Sequence, residues 1–137
     1  MDVHCHLESE LYQGQLDDIV REARECGLVK IITSAVTPDE WDISRQIAER
    51  FDIVAYSIGI HPWYVKLHNL DAIDSLVEHA LKGAIAIGEV GLDKKVATPD
   101  FELQLRMFTR QLIAARDLPG YREYMQKTRY RLIPGVW

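Results

Sequence analysis

At 137 residues with 47% hydrophobic side chains, the chain is long enough for one packed domain and too short for two. Its formal charge of -5 and pI near 5.5 exclude broad electrostatic adhesion to a nucleic-acid backbone or an anionic membrane, while leaving open local phosphate binding through cations. The two cysteines, Cys5 and Cys26, stand in no zinc-finger or disulfide-framework spacing. The N-terminus is acidic and polar where a signal peptide would be basic and then apolar, and no apolar run approaches the ~20 residues of a membrane span. These features predict a soluble, cytoplasmic chain with no membrane partner.

Short apolar runs alternate with amphipathic stretches, the pattern of successive βα units around a parallel sheet. Met1 to Cys5 reads as a first strand, followed by a helix with the stripe Leu16, Ile19, Val20 and Ala23 and with Gly27 placed to end it. Val29 to Thr33 is rich in β-branched residues and reads as a buried strand. Thr37, Pro38 and Glu40 then supply a hydroxyl N-cap, a proline at the first helical position and a capping-box glutamate. That helix is expected to bury Ser44, Ile47, Ala48 and Phe51, and Ile53 to Ile60 returns as a third strand. A helix with Ile73, Leu76, Val77 and Ala80 on one face follows, ended by Gly83. Ala84 to Gly88 reads as a fourth strand, and Thr98-Pro99-Asp100 opens a helix with the apolar face Phe101, Leu105, Phe108 and Leu112.

The pattern breaks after Leu118. Residues 119–137 hold three tyrosines, the bases Arg122, Lys127, Arg129 and Arg131 and the single acid Glu123, so this tail is +3 and the body -8. The expectation is a domain over 1–118 and a divergent tail over 119–137 that is not a separate domain. The fold class predicted is α/β, with four βα units of TIM-barrel type, a partial or half barrel, since a full barrel takes ~250 residues. Parallel strands ask for cover on both faces, and open sheet edges make a homo-oligomer possible.

Asp2-Val3-His4-Cys5-His6 carries the most chemistry, because strand alternation turns His4 and His6 to one face, where two imidazoles can share a divalent cation. Two ordinary surface histidines would read the same way in isolation. Gly59-Ile60-His61-Pro62 and Gly88-Glu89-Val90-Gly91-Leu92-Asp93 close the third and fourth strands, and strand ends on one rim of a βα barrel converge. Glu89 suits a carboxylate bridging two cations, and Gly59 and Gly88 allow close backbone approach. Cys5 points away from the histidines. His68 and His79 are expected to be surface residues, the Trp41, Trp63 and Trp137 rings require only packing, and the tail's tyrosines and arginines suit packing or protein contact better than nucleic acid.

Asp-Val-His-Cys-His-Leu at 2–7, Gly-Ile-His-Pro at 59–62 and Gly-Glu-Val-Gly-Leu-Asp at 88–93 resemble, in order and spacing, the signatures of TatD-related metal-dependent hydrolases and deoxyribonucleases. Phe101 to Leu118, with Gln104, Phe108, Gln111, Leu112 and Ala114, resembles the helix before the fifth strand of that family. The resemblance covers about residues 1–118. It implies an amidohydrolase-like TIM barrel, one or two divalent metals (zinc, magnesium or manganese), and hydrolysis of DNA or another phosphodiester by metal-activated water. By position it makes His4 and His6 ligands of one metal and Glu89 a ligand shared between two. His61 would contact a substrate phosphate, and Asp93 would orient ligands without touching the ion. The family's later histidines and water-activating aspartate have no counterpart in 119–137, so the metal shell expected here is partial and no catalytic residue is assigned. Two other readings are a catalytically incomplete half barrel that oligomerises, and a hydrolase of a small amide or lactone.

Overall fold

In the computed structural model, which describes residues 1–65, 72–97 and 100–127, strands and helices alternate along the chain. The order is β1 (Asp2–Cys5), α1 (Leu16–Glu25), β2 (Ile31–Ser34), α2 (Pro38–Arg50), β3 (Val54–Ile58), α3 (Ala72–Leu81), β4 (Ala86–Ile87), α4 (Phe101–Asp117) and α5 (Tyr121–Lys127). The strands form one parallel sheet in the order β1-β2-β3-β4. Sequential parallel order is what right-handed βα crossovers produce as they wind around a barrel.

The packing of β3 shows which face the helices cover. Val54 packs into a cluster with Val20 of α1 and Ile47 of α2, while Tyr56 and Ile58 pack with Trp41, Leu76 and Met107 of α2, α3 and α4. These alternate β3 residues point the same way, so the core lies between one face of the sheet and α1 to α4. On the other face Ser34, Ala55 and Ser57 are buried beside the part-buried Ile32, and Ser57 Oγ donates to Ser34 Oγ at 3.1 Å. Cover on both faces was the sequence expectation, and helices cover only one, as in a barrel wall.

Several local expectations shift. β2 starts at Ile31, because ladder pairing begins there, opposite Asp2 and Val54; Val29 lies ahead of it and is 75% exposed. β4 contracts to two residues, although Ile85 N–H still donates to Tyr56 O. On α2 the Glu40 carboxylate accepts from the backbone N–H groups of Val36 and Thr37, the expected capping-box return, and Trp41 joins Ser44 and Ile47 in the core. The buried face of α4 is Gln104, Met107, Gln111 and Ala114, whereas Phe101, Leu105 and Leu112 are exposed. The glutamines turn inward because unpaired loop backbone awaits them. His79 is only partly at the surface: it is half-buried against the Trp41 ring, and its Nδ1 meets Ser75 O at 2.8 Å. The tail begins with α5, a short exposed helix that the sequence pattern did not suggest. His68, the Thr98-Pro99 pair, Arg129, Arg131 and Trp137 lie outside the described residues.

No described helix is long and apolar enough to cross a membrane.

Candidate metal centre

His4, in β1, and His6, just past its end, flank Cys5 on the side opposite its side chain, although the register with β2 shifts between Asp2 and Cys5. Cys5, between them, turns to the helix side, donates from Sγ to Ile32 O at 3.4 Å, and packs with the α1–α2 cluster. Burial, helped by the charges of Asp2 and Glu8, pushes the Cys5 thiol up to about 11, so it is no nucleophile at neutral pH. His4 and His6 stand on the opposite side with their rings edge to face, 5.0 Å between centroids.

Glu89 reaches them from the end of β4 through a backbone device. Gly59 and Gly88 pass so closely that a Cβ on Gly59 would lie 1.9 Å from Gly88 O, and a Cβ on Gly88 would lie 2.8 Å from Ser57 Oγ. The chain then turns through Glu89 at φ 57, the one left-handed non-glycine residue among those described. Such backbone costs about 1 kcal/mol or more and concentrates at functional sites. The turn brings Glu89 Oε1 to 2.9 Å from His4 Nδ1. One ligand atom from each of His4, His6 and Glu89 lies within 4.8 Å of the other two. Two imidazole nitrogens and a carboxylate oxygen form a donor set that fits a borderline divalent cation and leaves coordination positions open for other ligands.

Behind this trio sits Glu8, absent from the sequence expectations. Its side chain is 1% exposed, and Oε1 lies 3.0 Å from His6 Nδ1. Oε2 accepts from Thr33 Oγ1 and, at 3.5 Å, from Ser44 Oγ, while Thr33 Oγ1 accepts from Leu7 N–H at 2.9 Å. A carboxylate accepting at Nδ1 keeps that nitrogen protonated and leaves Nε2 of His6 with a free lone pair, the arrangement typical of metal-binding histidines. The His6-x-Glu8 spacing was the available signal, but spacing does not reveal burial.

His61 and Asp93 come from adjacent loops that α4 holds in place. Gln111 donates to Ile60 O at 3.1 Å and accepts from Ile60 N–H at 2.7 Å. Gln104 does the same for Asp93, at 3.1 and 2.8 Å. His61 Nδ1 accepts from Trp63 N–H at 3.2 Å, which puts the neutral ring's proton on Nε2. Burial pushes the pKa of His61 down, against a smaller upward pull from Glu89 and Asp93. Asp93 accepts from Trp63 Nε1 at 2.8 Å and from Lys95 N–H at 2.7 Å, and these bonds hold its carboxyl below the usual range. Its hydrogen bonds go to the His61 loop and its own turn, not to His4, His6 or Glu89.

His6, His61 and Glu89 open on a cleft of about 760 Å³ that also exposes Trp63 and Tyr64, with Asp39 on its wall. A second depression of about 320 Å³ shares His61, Trp63 and Glu89 with the first and adds Asp93. Of the expected site residues, then, His4, His6 and Glu89 form one cluster, His61 lines its cleft, and Asp93 lies one step further out. Trp63, read from the sequence as packing, stands instead at the cleft mouth.

Residues 1–120 match the family model described as TatD related DNase. The uncharacterized metal-dependent hydrolase YjjV of Escherichia coli is 28% identical over 124 residues, which are 87% of this chain and 48% of that protein. Human deoxyribonuclease TATDN3 is 31% identical over 103 residues, covering 68% and 38% respectively. The 3'-5' ssDNA/RNA exonuclease TatD of Dickeya dadantii is 27% identical, covering 88% and 47%. The crystal structure of Escherichia coli YjjV superposes with a TM-score of 0.75 at 27% identity, over 84% of this chain and 46% of that one. The chain thus spans about half the length, or less, of these relatives. Their names favour neither a purely structural role nor amide or lactone hydrolysis. With its four parallel βα units and its histidine and glutamate motifs at the expected strand ends, the chain belongs to the TatD-related DNase family of metal-dependent hydrolases, as a partial TIM barrel.

Proposed function

We propose that this chain supplies the metal-gathering half of a phosphodiesterase site that acts on DNA. The observation that carries the reading is the meeting of His4, His6 and Glu89 from the two outer strands, within 4.8 Å of one another, beside an open cleft. Divalent cations held there would supply positive charge against the phosphate and lower the pKa of a water nucleophile. His6 is locked by Glu8 so that Nε2 faces outward as a ligand, and His4 approaches Glu89 from the neighbouring side. Glu89 has two carboxylate oxygens and suits sharing between two cations, as the sequence resemblance implies. The protonated Nε2 of His61 suits donation to a phosphate oxygen. Asp93 holds that loop through Trp63. Among the candidate metals, the nitrogen-rich donor set favours zinc over manganese or magnesium. The free thiols of Cys5 and Cys26 suit a reducing compartment such as the cytoplasm.

The names of the relatives support the substrate class, since a human relative is called a deoxyribonuclease and a bacterial one an exonuclease on ssDNA and RNA. The test is cleavage of a labelled single-stranded DNA with added zinc, manganese or magnesium. Cleavage by wild type should require metal, and His4→Ala and Glu89→Ala should each lower the rate by 10²-fold or more, as expected when a group that stabilises the transition state is lost. Equal metal-dependent cleavage in wild type and both variants would overturn the assignment.

A further inference from the structure

Trp63 is 54% exposed, yet contacts with two neighbouring loop residues, Asp93 and His61, hold it in place. Its Nε1 donates to Asp93 Oδ2 at 2.8 Å, its backbone N–H donates to His61 Nδ1 at 3.2 Å, and its ring meets the His61 ring edge to face with 5.2 Å between centroids. Asp93 is itself clamped at both backbone polar groups by Gln104. Two residues along, Val65 is buried in the core and anchors the loop. The ring also lines both depressions, the one that opens on His6 and Glu89 and the one that holds Asp93.

A solvated surface tryptophan gains nothing from being held in one orientation, and its exposed apolar area is unfavourable. A rigid exposed aromatic ring makes sense as a binding platform, because its ordering cost has been met before a ligand arrives. The ligand chemistry follows from the position. A flat apolar ring beside a phosphodiester site fits the flat face of a base, and base–aromatic stacking is tolerant of sequence because every base has a π-face. A base inside a duplex keeps both faces in its own stack, whereas an unpaired one leaves a face free for the ring.

We propose that Trp63, oriented by Asp93, is a stacking subsite for an unpaired nucleobase next to the cleavage position. The proposal deepens the phosphodiesterase reading and rests on it for the identity of the ligand, but it is tested without turnover. The probe is a short fluorescent single-stranded DNA with methylphosphonate linkages, which carry no charge and are not hydrolysed, compared by anisotropy with the same strand made abasic. Wild type should prefer the base-bearing probe about tenfold. Trp63→Ala should lose that preference, Trp63→Phe should keep part of it, and Asp93→Asn should weaken it. Because Trp63 is exposed, its two variants should melt with wild type, which circular dichroism verifies. No preference in wild type, including no binding to either probe, would contradict the proposal, as would a preference that survives Trp63→Ala. Loss of metal-dependent cleavage in none of the His4 and Glu89 variants would sink the hydrolase reading while leaving the stacking result to stand by itself.

Discussion

Glu8 is where burial and chemistry are most tightly joined. A carboxylate with a side chain 1% exposed is tolerated only when its acceptors are used, and here Thr33, Ser44 and His6 use them. Glu8→Gln retains the volume and an acceptor but not the charge, so zinc affinity measured by titration should fall about tenfold, the lower end for losing such a partner of a metal-bound histidine. Glu8→Ala would also leave the Thr33 and Ser44 hydroxyls without an acceptor, and urea unfolding should register a loss of about 1–3 kcal/mol. Unchanged zinc affinity in Glu8→Gln would show that His6 is oriented by something else. His4 and His6 were legible as a pair because strand period alone puts them on one side. Glu8 was not, because nothing local in Leu7-Glu8-Ser9 says that the side chain folds back beneath β2 and α2. Trp63 was missed for the opposite reason: a tryptophan without a motif is read as core or interface packing, and nothing local shows that this ring donates from Nε1 to Asp93, 30 residues away, and meets the His61 ring at the cleft.

At the level of elements, the ends of β3 and β4 depend on two glycines in contact. Gly59→Ala would drive a Cβ into Gly88 O, which is backbone and cannot rotate aside, so stability should drop by about 2 kcal/mol or more, with Glu89 displaced from the histidines. Gly91→Ala is the control: nothing lies within 4 Å of its added Cβ, and its stability should change by less than about 0.5 kcal/mol. Urea midpoints measure both, and equal values would mean that the close approach carries no stability. The glycines were readable as sites of close approach, and the Thr37-Pro38-Glu40 helix start was readable because its signals are local. The face of α4 was not. Hydrophobic periodicity favours Phe101, Leu105, Phe108 and Leu112, and it cannot register that Gln104 and Gln111, seven residues apart on one side, each satisfy both backbone groups of a loop residue.

For the whole molecule, charge and architecture point the same way. Four βα units form a barrel wall whose uncovered face buries the Ser34–Ser57 hydroxyl pair and whose rim gathers two histidines and a glutamate. Glu8, Glu10, Asp39, Glu40 and Glu89 all border the main cleft, and the chain is -5 overall. A phosphodiester would be repelled from such a cleft unless cations reverse its local potential. Metal binding is therefore the central claim, because the substrate class depends on a site that attracts phosphate. The most direct test is zinc content per chain after equilibrium dialysis, comparing wild type with His4→Ala. The site described here predicts about one equivalent or more in wild type and its loss in the variant. Equal zinc in both proteins, or none in either, would contradict it.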